Sequence, residues 1–305
     1  MVLVFSHPAS ADHVTPPGHP ERAERWAAVE AGFAGLAVTR REAPSGNVAD
    51  VLRCHTAGHV AQVQASVPVR GWVALGGDTF VSPGSWAAAL RAVGGACAAV
   101  DAVVAGGGRA FVVCRPPGHH AERAAAMGFC LFGTAAIAAM RALDHHGLSR
   151  VAVLDFDVHH GNGTQDLLWD EPRAMFVSSH QSPLYPGSGA ADEVGAHGQI
   201  VNLPLRPGSG GAEMRAVWGP ALERVAAFAP DLIILSAGFD AHRSDPLGGL
   251  EWQAADFGWL TRAICDLADR VCGGRVVSCL EGGYDLTALT ASVAAHVAEL
   301  GRPGG

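Results

Sequence analysis

Acidic and histidine side chains alternate where one apolar run in the middle of the chain ends. Asp155, Asp157 and His159 follow the run Val151–Leu154 in the segment DFDVHHGNG. In an extended chain, residues two apart point to the same side, so these three side chains can face one point in space. This spacing indicates half of a metal site. The same pattern also fits a polar strand end that is held by hydrogen bonds.

Asp240 ends a second apolar run, DLIILSAGFD, and we predict that it completes the metal site. Together with Asp157 and His159 it would supply two carboxylates and one imidazole and leave a fourth position open for water. An open position distinguishes a catalytic zinc site from a structural one. Asp240 alone carries little information, so the prediction depends on both strand ends.

Three further side chains have the chemistry to move protons beside such an ion. His119 and His120 end the segment RPPGHH, and two adjacent imidazoles can take a proton from water and return one to a leaving group. Tyr284 follows two glycines in LEGGYD, and its phenol could donate to a developing oxyanion. The alternatives are a pair of loop histidines and an ordinary turn tyrosine.

Strands and helices alternate along the chain, which predicts a mainly parallel α/β sheet. In such a sheet, ligands bind beyond the carboxyl ends of the strands, where the polar residues lie. The predicted strands are Val2–Phe5, Ala110–Cys114, Val151–Phe156, Ala174–Val177, Leu232–Ser236 and Val276–Leu280. The predicted helical stretches are Ser85–Val104, Phe132–His145, Ala212–Phe228 and Ala254–Val271. Loops expected to wall a pocket are Ser6–Arg25, Gly76–Gly84 and Gln181–Gly211.

Size and composition favour one catalytic domain over residues 1–305. A chain of 305 residues with 49% hydrophobic and 16% charged residues can bury a large core without disulfides. The seven cysteines never form a C-x-x-C pair, which is typical of reduced thiols in an intracellular protein. Apolar runs such as AAIAAM fall short of the ~20 residues of a membrane span. We therefore predict a cytoplasmic protein without a membrane span.

The charge pattern bears on the partners of the protein. The net charge is -8 and the basic residues are dispersed, which argues against nucleic acid as a partner. All 21 residues of the Lys and Arg class are arginine, so the chain cannot be its own acetyl-lysine substrate. A mildly acidic surface suits cationic amines. The oligomeric state, including a homo-oligomer, is left open.

Six motifs resemble the motif series of the arginase/deacetylase fold, and the matches run in the same order from about Gly18 to Tyr284. They are RPPGHHA, GFC, LDFDVHHGNGTQ, LYPGSG, SAGFDAHRSDPLGG and LEGGYDL. They are most similar to class II histone deacetylases and bacterial histone deacetylase-like amidohydrolases. The resemblance implies a single-domain, three-layer α/β/α fold with a mainly parallel eight-stranded sheet. It also implies a zinc-dependent amidohydrolase that removes an acetyl group from a primary amine such as acetyl-lysine.

The resemblance assigns the metal ligands and the residue that polarises the substrate carbonyl. Asp157, His159 and Asp240 become the ligands of one catalytic zinc per chain, and Tyr284 the polarising phenol. Relatives also bind a potassium ion through backbone oxygens and a serine hydroxyl. The corresponding residues are Asp155, Asp157, His159 and Ser178.

The resemblance also places a side chain behind each of the tandem histidines. Asp155 would orient the ring of His119 and fix its tautomer. Asn162 takes the matching place behind His120, where some relatives have an aspartate. Because an amide adds no negative charge, we expect His120 to be protonated less readily than His119. Which histidine is the base and which the acid is left open.

A narrow acyl-lysine channel is the remaining feature that the resemblance implies. Phe129 and Tyr185 match its two aromatic walls, with Gly128 beside Phe129 in the GFC motif. Asp78 matches a loop carboxylate that binds substrate backbone amides, and Leu247 is an apolar candidate for the rim. Other expected roles belong to Arg22, which would order the pocket floor, to Cys130, which would pack, and to His242 and Asp245, which would order the ligand loop.

Three other functions compete with the deacetylase hypothesis. An acetylpolyamine deacetylase would use the same catalytic core, with acidic residues such as Asp78, Glu122 and Asp192 near the mouth, whereas Leu247 favours a peptide. An arginase-like hydrolase would need two metal ions and further carboxylates, against which Asn162 argues. A binding module without catalysis would have no need for the tandem histidines.

Overall fold

A central sheet of eight strands organises the computed structural model, which describes residues 2–303. The strands in chain order are β1 Val2–Ser6, β2 Val38–Glu42, β3 Val73–Ala74, β4 Phe80–Val81, β5 Arg109–Val112, β6 Val151–Asp155, β7 Ala174–Gln181, β8 Ile200–Leu205, β9 Leu232–Ala237 and β10 Val276–Leu280. The helices are α1 Ala9–Asp12, α2 Glu24–Ala31, α3 Val48–Val51, α4 Ala57–Ser66, α5 Ser85–Gly106, α6 Thr134–Asp144, α7 Asn162–Leu168, α8 Gly211–Phe228, α9 Ala254–Cys272 and α10 Leu286–Leu300.

The order of the strands in the sheet is β2-β1-β5-β10-β9-β6-β7-β8, and every neighbouring pair is parallel. Strands β3 and β4 form a separate antiparallel pair. The predicted eight-stranded parallel sheet is therefore confirmed. Because all eight strands run the same way, their carboxyl ends meet at one edge of the sheet.

Helices cover both faces of the sheet, so that the helices and the sheet together form three layers. In β6, Ala152 and Leu154 belong to one hydrophobic core, whereas Val151 and Val153 belong to the other. This alternation follows from the two-residue period of a strand, and burial on both faces explains its continuous apolar run. Helices α8, α9 and α10 lie on the first face, and α5 and α6 on the second. That the whole chain forms one domain stays a prediction.

Two strands of the sheet were not predicted from the sequence. Strand β2 is an edge strand with the largely polar sequence VTRRE, and its last three residues are exposed. Strand β8 lies inside the Gly/Pro-rich stretch predicted as a loop, and its Pro204 is tolerated because β8 is the opposite edge. Strand β7 continues four residues beyond its predicted end, through His180 to Gln181.

Helix α5 is long and apolar enough to cross a membrane by length and composition alone. The sequence analysis considered shorter apolar runs and missed this property of the helix. Of its most apolar 18-residue window, 61% is buried inside the protein. It packs against α6, β5 and β10. A core helix of a globular domain has the same properties, so this helix is weak evidence for a membrane span.

Candidate active site

The predicted site residues meet at the carboxyl ends of four neighbouring strands, β5, β10, β9 and β6. Asp155 is the last residue of β6, and Asp157 and His159 follow it directly. Asp240 comes three residues after β9, and Tyr284 four residues after β10. The loop after β5 carries the two tandem histidines. Chain segments far apart in sequence are thus brought together by the order of the strands in the sheet.

Asp157, His159 and Asp240 form a buried group whose potential ligand atoms all lie within 4.8 Å of one another. The Nδ1 atom of His159 lies 3.1 Å from Oδ1 of Asp157 and 3.2 Å from Oδ2 of Asp240. The other oxygen of each aspartate is already occupied by the backbone. Oδ2 of Asp157 accepts from the N–H of Gly282 at 2.8 Å, and Oδ1 of Asp240 from that of Val158 at 2.8 Å.

The chemistry of this group fits a cation. Oδ2 of Asp240 is buried and makes no hydrogen bond within residues 2–303, although it lies near His159. Burial, together with the charge of Asp157, raises the pKa of Asp240 to about 7. Burial opposes protonation of His159, but the two carboxylates outweigh it and raise the pKa of its imidazole to about 10. The carboxylates therefore attract a positive charge to this point, and an O,O,N set of this kind can hold a catalytic zinc ion.

Gly282 allows the loop after β10 to approach the two aspartates closely. A Cβ atom at this position would lie 2.1 Å from Oδ2 of Asp240 and 2.6 Å from Oδ2 of Asp157. Both distances are far below van der Waals contact. The first glycine of LEGGYD is thus required by the metal group rather than by the turn alone.

A second group of potential ligands, Asp101, His145 and His146, lies away from the sheet edge. Both oxygens of Asp101 accept from Arg141 at 2.8 Å, and Oδ1 also lies 2.7 Å from Nε2 of His146. The guanidinium already neutralises this carboxylate. The strand-end group is therefore the better candidate for a catalytic ion in residues 2–303.

The tandem histidines lie side by side, with ring centroids 4.0 Å apart. Nδ1 of His119 is 3.0 Å from Oδ2 of Asp155, and Nδ1 of His120 is 2.7 Å from Oδ1 of Asn162. Burial disfavours the imidazolium of His119, but Asp157 and Asp155 outweigh it and raise its pKa. Burial, together with His119 and His159, lowers the pKa of His120. These directions agree with the expected difference between the two histidines.

A buried carboxylate that the sequence analysis missed supports the histidine loop. Oε2 of Glu281 accepts from the backbone N–H of Gly118 at 2.6 Å and of His119 at 3.1 Å, and Oε1 accepts from the Ser236 hydroxyl. Burial raises the pKa of Glu281 to about 7. Its position directly after β10, inside LEGGYD, was the available signal.

Neighbouring side chains contact both the backbone and the ring of Tyr284. Its N–H donates to Oδ2 of Asp245 at 2.6 Å, and the next residue, Asp285, caps helix α10. The guanidinium of Arg25 lies 4.9 Å from the centroid of the tyrosine ring. Burial raises the pKa of the phenol well above its usual value, although Arg25 opposes this. The phenol is therefore protonated at neutral pH and can donate a hydrogen bond.

Arg25, and not Arg22, is the arginine beneath the pocket, so the expectation for Arg22 was wrong. Arg22 is exposed and lines an outer groove. Arg25 is fully buried; its Nε donates to the carbonyl of Gly283 at 2.7 Å and its Nη1 to Glu21 at 3.0 Å. Helix α2 begins at Glu24 and turns the side chain of Arg25 inward.

A channel of about 260 Å³ leads to the metal group. All the predicted channel residues line it, together with one of the tandem histidines, the ligand histidine, Tyr284 and one residue that was not predicted. The lining residues are Asp78, His120, Gly128, Phe129, His159, Leu184, Tyr185, Leu247 and Tyr284. Both tyrosines of the chain are among these residues. The carboxylate of Asp78 accepts from the Thr79 hydroxyl at 3.1 Å.

At Gly128 the backbone of the channel wall lies directly against the ring of His120. The φ of Gly128 is +54°, and a Cβ atom there would lie 2.3 Å from Cδ2 of the His120 ring. The next residue, Phe129, also has a left-handed backbone, with φ +70°. Beside them Cys130 is fully buried, and burial raises the pKa of its thiol well above its usual value. Cys130 therefore packs, as expected, and is a poor nucleophile.

A wider groove of about 720 Å³ opens beside the channel and shares Leu247 and Tyr284 with it. Its other wall is the segment from Val14 to Glu24, which contains three prolines. Leu247 is positioned by Asp245, whose Oδ1 accepts from the Leu247 N–H at 3.0 Å. The loop expected to order the ligands thus also orders the rim.

Ser178, the side chain predicted for a potassium site, is fully buried in β7 and pairs in register with Asp155 of β6. Its hydroxyl lies 3.0 Å from Nδ1 of His180. The potassium site itself stays a prediction.

The fold and the strand-end side chains together indicate the class of metal-dependent hydrolases. The model of the histone deacetylase domain matches residues 19–300, and the chain belongs to this family. The family comprises hydrolytic deacetylases and amidohydrolases, and zinc dependence is general in it. The class of reaction expected from the motifs is thereby supported.

Two relatives illustrate the similarity. The chain is 40% identical over 286 residues to the histone deacetylase-like amidohydrolase of Pseudomonas aeruginosa, covering 91% of this chain and 74% of the relative. It is 44% identical over 231 residues to the chloroplastic histone deacetylase 14 of Arabidopsis thaliana, covering 72% of this chain and 54% of the relative. The chain thus spans about half the length of that second relative.

A solved structure is similar over the whole chain. The crystal structure of the acetylpolyamine aminohydrolase from Burkholderia pseudomallei matches with a TM-score of 0.88 and 31% identity and covers 100% of both chains. The expected deacetylase fold is therefore confirmed.

Proposed function

We propose that the protein is a zinc-dependent amidohydrolase that removes the acetyl group from an acetyl-lysine side chain of a peptide. One observation carries the proposal: a channel between aromatic side chains ends on a buried O,O,N ligand group beside two imidazoles and a protonated phenol. This set supplies a proton acceptor, a proton donor and an oxyanion donor around one point.

Asp157, His159 and Asp240 would hold one zinc ion per chain. When bound, zinc acts as a Lewis acid on the substrate carbonyl and lowers the pKa of water towards ~7. The unpartnered Oδ2 of Asp240 supports its part in this group. A second ion, as in an arginase-like enzyme, would need more carboxylates than the strand-end group provides within residues 2–303.

The two histidines divide the proton transfers between them. His120, whose pKa burial lowers, accepts a proton from the attacking water. His119, which lies against Asp155, returns a proton to the departing amine. Tyr284 donates a hydrogen bond to the oxyanion, because its raised pKa keeps the phenol protonated.

The shape of the entrance favours a peptide as substrate. The channel takes a slender alkyl stem, and the adjoining groove of about 720 Å³ leaves room for the rest of a peptide. Leu247, shared by both cavities, offers an apolar rim. The second candidate is an acetylpolyamine deacetylase, which is favoured by the carboxylate of Asp78 at the channel and by the similarity to the polyamine enzyme.

Three further features belong to the proposal. A structural potassium ion would bind near Ser178 together with Asp155, Asp157 and His159. The protein would act in the cytoplasm. Neither a membrane nor nucleic acid is proposed as a partner.

Turnover of an acetyl-lysine peptide and of N-acetylputrescine by the purified zinc-loaded protein tests this function. We expect acetate release from both to need zinc, and kcat/KM to be higher for the peptide. A chelator-treated sample is the control. A higher kcat/KM for N-acetylputrescine would support the second candidate. If neither substrate released acetate, both proposed functions would be refuted.

A further inference from the structure

The side-chain amide of Asn162 lies between the ring of His120 and the carboxylate of Glu122. Its Oδ1 is 2.7 Å from Nδ1 of His120, and its Nδ2 donates to Oε1 of Glu122 at 2.7 Å. Nδ2 also donates to Sδ of Met127 at 3.3 Å. Asn162 is 7% exposed, so these three side chains decide its orientation.

An ionised carboxylate can only accept hydrogen bonds, so it must face the nitrogen of the amide and not the oxygen. Glu122 therefore turns Oδ1 of Asn162 towards His120. Since an amide oxygen also only accepts, Nδ1 of His120 must carry the proton. The lone pair is then left on Nε2, where a proton acceptor needs it.

The backbone of Glu122 is anchored, so its carboxylate is held in place. Its N–H donates to the carbonyl of Ala125 at 3.0 Å, and its own carbonyl lies 3.0 Å from Nδ1 of His55. Within residues 2–303, no arginine or histidine lies within ion-pair distance of Glu122. The Asn162 amide is thus its side-chain partner.

The other histidine of the pair reaches the same tautomer without an intermediary. Asp155, fully buried, accepts directly at Nδ1 of His119. Half a turn of a carboxylate exchanges two equivalent oxygens, whereas half a turn of an amide would present its nitrogen to the ring. An amide behind His120 therefore needs a second group to orient it.

We propose that Glu122 is a positioning residue that fixes the tautomer of His120 through Asn162. This inference rests on the deacetylase function proposed above. It differs from a role for Glu122 as an acidic group at the channel mouth, which would act on the binding of cationic substrates and not on proton transfer.

A double-mutant cycle of Glu122→Gln and Asn162→Asp, with an acetyl-lysine peptide as substrate, tests the proposal. In Glu122→Gln the amide loses its fixed acceptor, and kcat should fall about 2- to 10-fold with KM unchanged. In Asn162→Asp a carboxylate accepts directly at Nδ1 of His120, as Asp155 does at His119, so the tautomer no longer depends on residue 122. Adding Glu122→Gln to Asn162→Asp should therefore change kcat less than about 2-fold, so that the effect of Glu122→Gln is confined to the background with asparagine at 162.

Glu223→Gln, a change of the same type at an exposed position of α8, is the matched control. Zinc content and melting temperature show whether each variant is folded. Additive effects in the cycle, or a change in Glu122→Gln that is confined to KM, would overturn the proposal.

The ¹⁵N NMR shifts of the His120 ring give a second measurement that does not depend on turnover. We expect protonated Nδ1 in the wild-type protein and a mixture of tautomers in Glu122→Gln, with the resonances assigned by comparison with His120→Ala. Protonated Nε2 in the wild-type protein would overturn the proposal. If the wild-type protein releases no acetate, the proposed function fails, and the tautomer still decides this inference.

Discussion

Oδ2 of Asp245 accepts a hydrogen bond of 2.6 Å from the backbone N–H of Tyr284. The loop after β9, which carries Asp240, therefore also holds the tyrosine that follows β10. The other oxygen of Asp245 accepts from Leu247, so one carboxylate joins the phenol and the rim.

Asp245→Ala should lower kcat while zinc binding is kept. The buried N–H of Tyr284 loses its charged acceptor, and a hydrogen bond of this kind corresponds to roughly a 10- to 100-fold change. The measurements are kcat and zinc content. Ser244→Ala, an exposed neighbour in the same loop, is the control. A variant with full turnover would mean that Asp245 does not position the tyrosine.

Tyr284→Phe should bind zinc normally and turn over about 100- to 1000-fold more slowly, because it lacks one oxyanion donor. The ring and its contact with Arg25 are kept, so the fold should not change. Single-turnover kinetics with an acetyl-lysine peptide measures the effect. Unchanged turnover would remove the phenol from the mechanism.

Asp240→Asn should lose metal. The amide oxygen is neutral, so the charge of the zinc ion is balanced by one carboxylate instead of two. Zinc content after gel filtration should fall well below one ion per chain, whereas Asp170→Asn, an exposed aspartate, should keep the wild-type content. Full zinc content in Asp240→Asn would contradict the ligand assignment.

Gly128→Ala should reduce kcat strongly, because the new Cβ atom would meet the His120 ring and the left-handed backbone disfavours a side chain. Gly77→Ala is the matched control, since a Cβ atom there would have no neighbour within 4 Å in the described part of the chain. Peptide turnover and melting temperature should be measured for both. Equal activity of the two variants would show that the wall does not constrain His120.

The stability of the protein should fall in acid, in part through His296. This histidine is fully buried between the hydroxyls of Thr261 and Ser278, and burial lowers its pKa to about 3. The unfolded chain, with a histidine pKa of about 6.5, then binds more protons than the folded protein, so the free energy of unfolding decreases as the pH falls from about 7 towards 3.

Between pH values of about 7.5 and 5.5 the contribution of His296 is on the order of 1 kcal/mol. Urea unfolding at both pH values should show that the free energy of unfolding falls less in His296→Gln than in the wild-type protein. His197→Gln, which changes an exposed histidine, should show the same fall as the wild-type protein. An equal fall in His296→Gln would rule out this contribution.

The buried strands could be predicted from the sequence, but the two edges of the sheet could not. A central strand such as β6 is apolar throughout because both its faces are covered. Strand β2 has no such signal, because three of its five residues are exposed, and the proline of β8 is typical of a loop. The order of the strands depends on helix packing, which the pattern of one chain does not specify.

The candidate ligands were predictable because their spacing follows a strand end, whereas two carboxylates that support the tandem histidines were not. Glu122 and Glu281 lie in loops without periodicity, and only the folded chain brings them to Asn162 and His119. Arg25 was missed because Arg22 lies three residues earlier in a similar setting. The start of helix α2 decides which of the two is buried.

The ligand and proton-transfer side chains come from four adjoining strands that are up to 165 positions apart in the chain, from His119 to Tyr284. No fragment that lacks one of these four strands carries the full set. The three ligands follow β6 and β9, which are neighbours in the sheet but far apart in the chain. During refolding, retention of zinc should therefore appear only after β6 and β9 have paired, a long-range contact that forms slowly. Metal uptake thus offers a reporter for this step of folding.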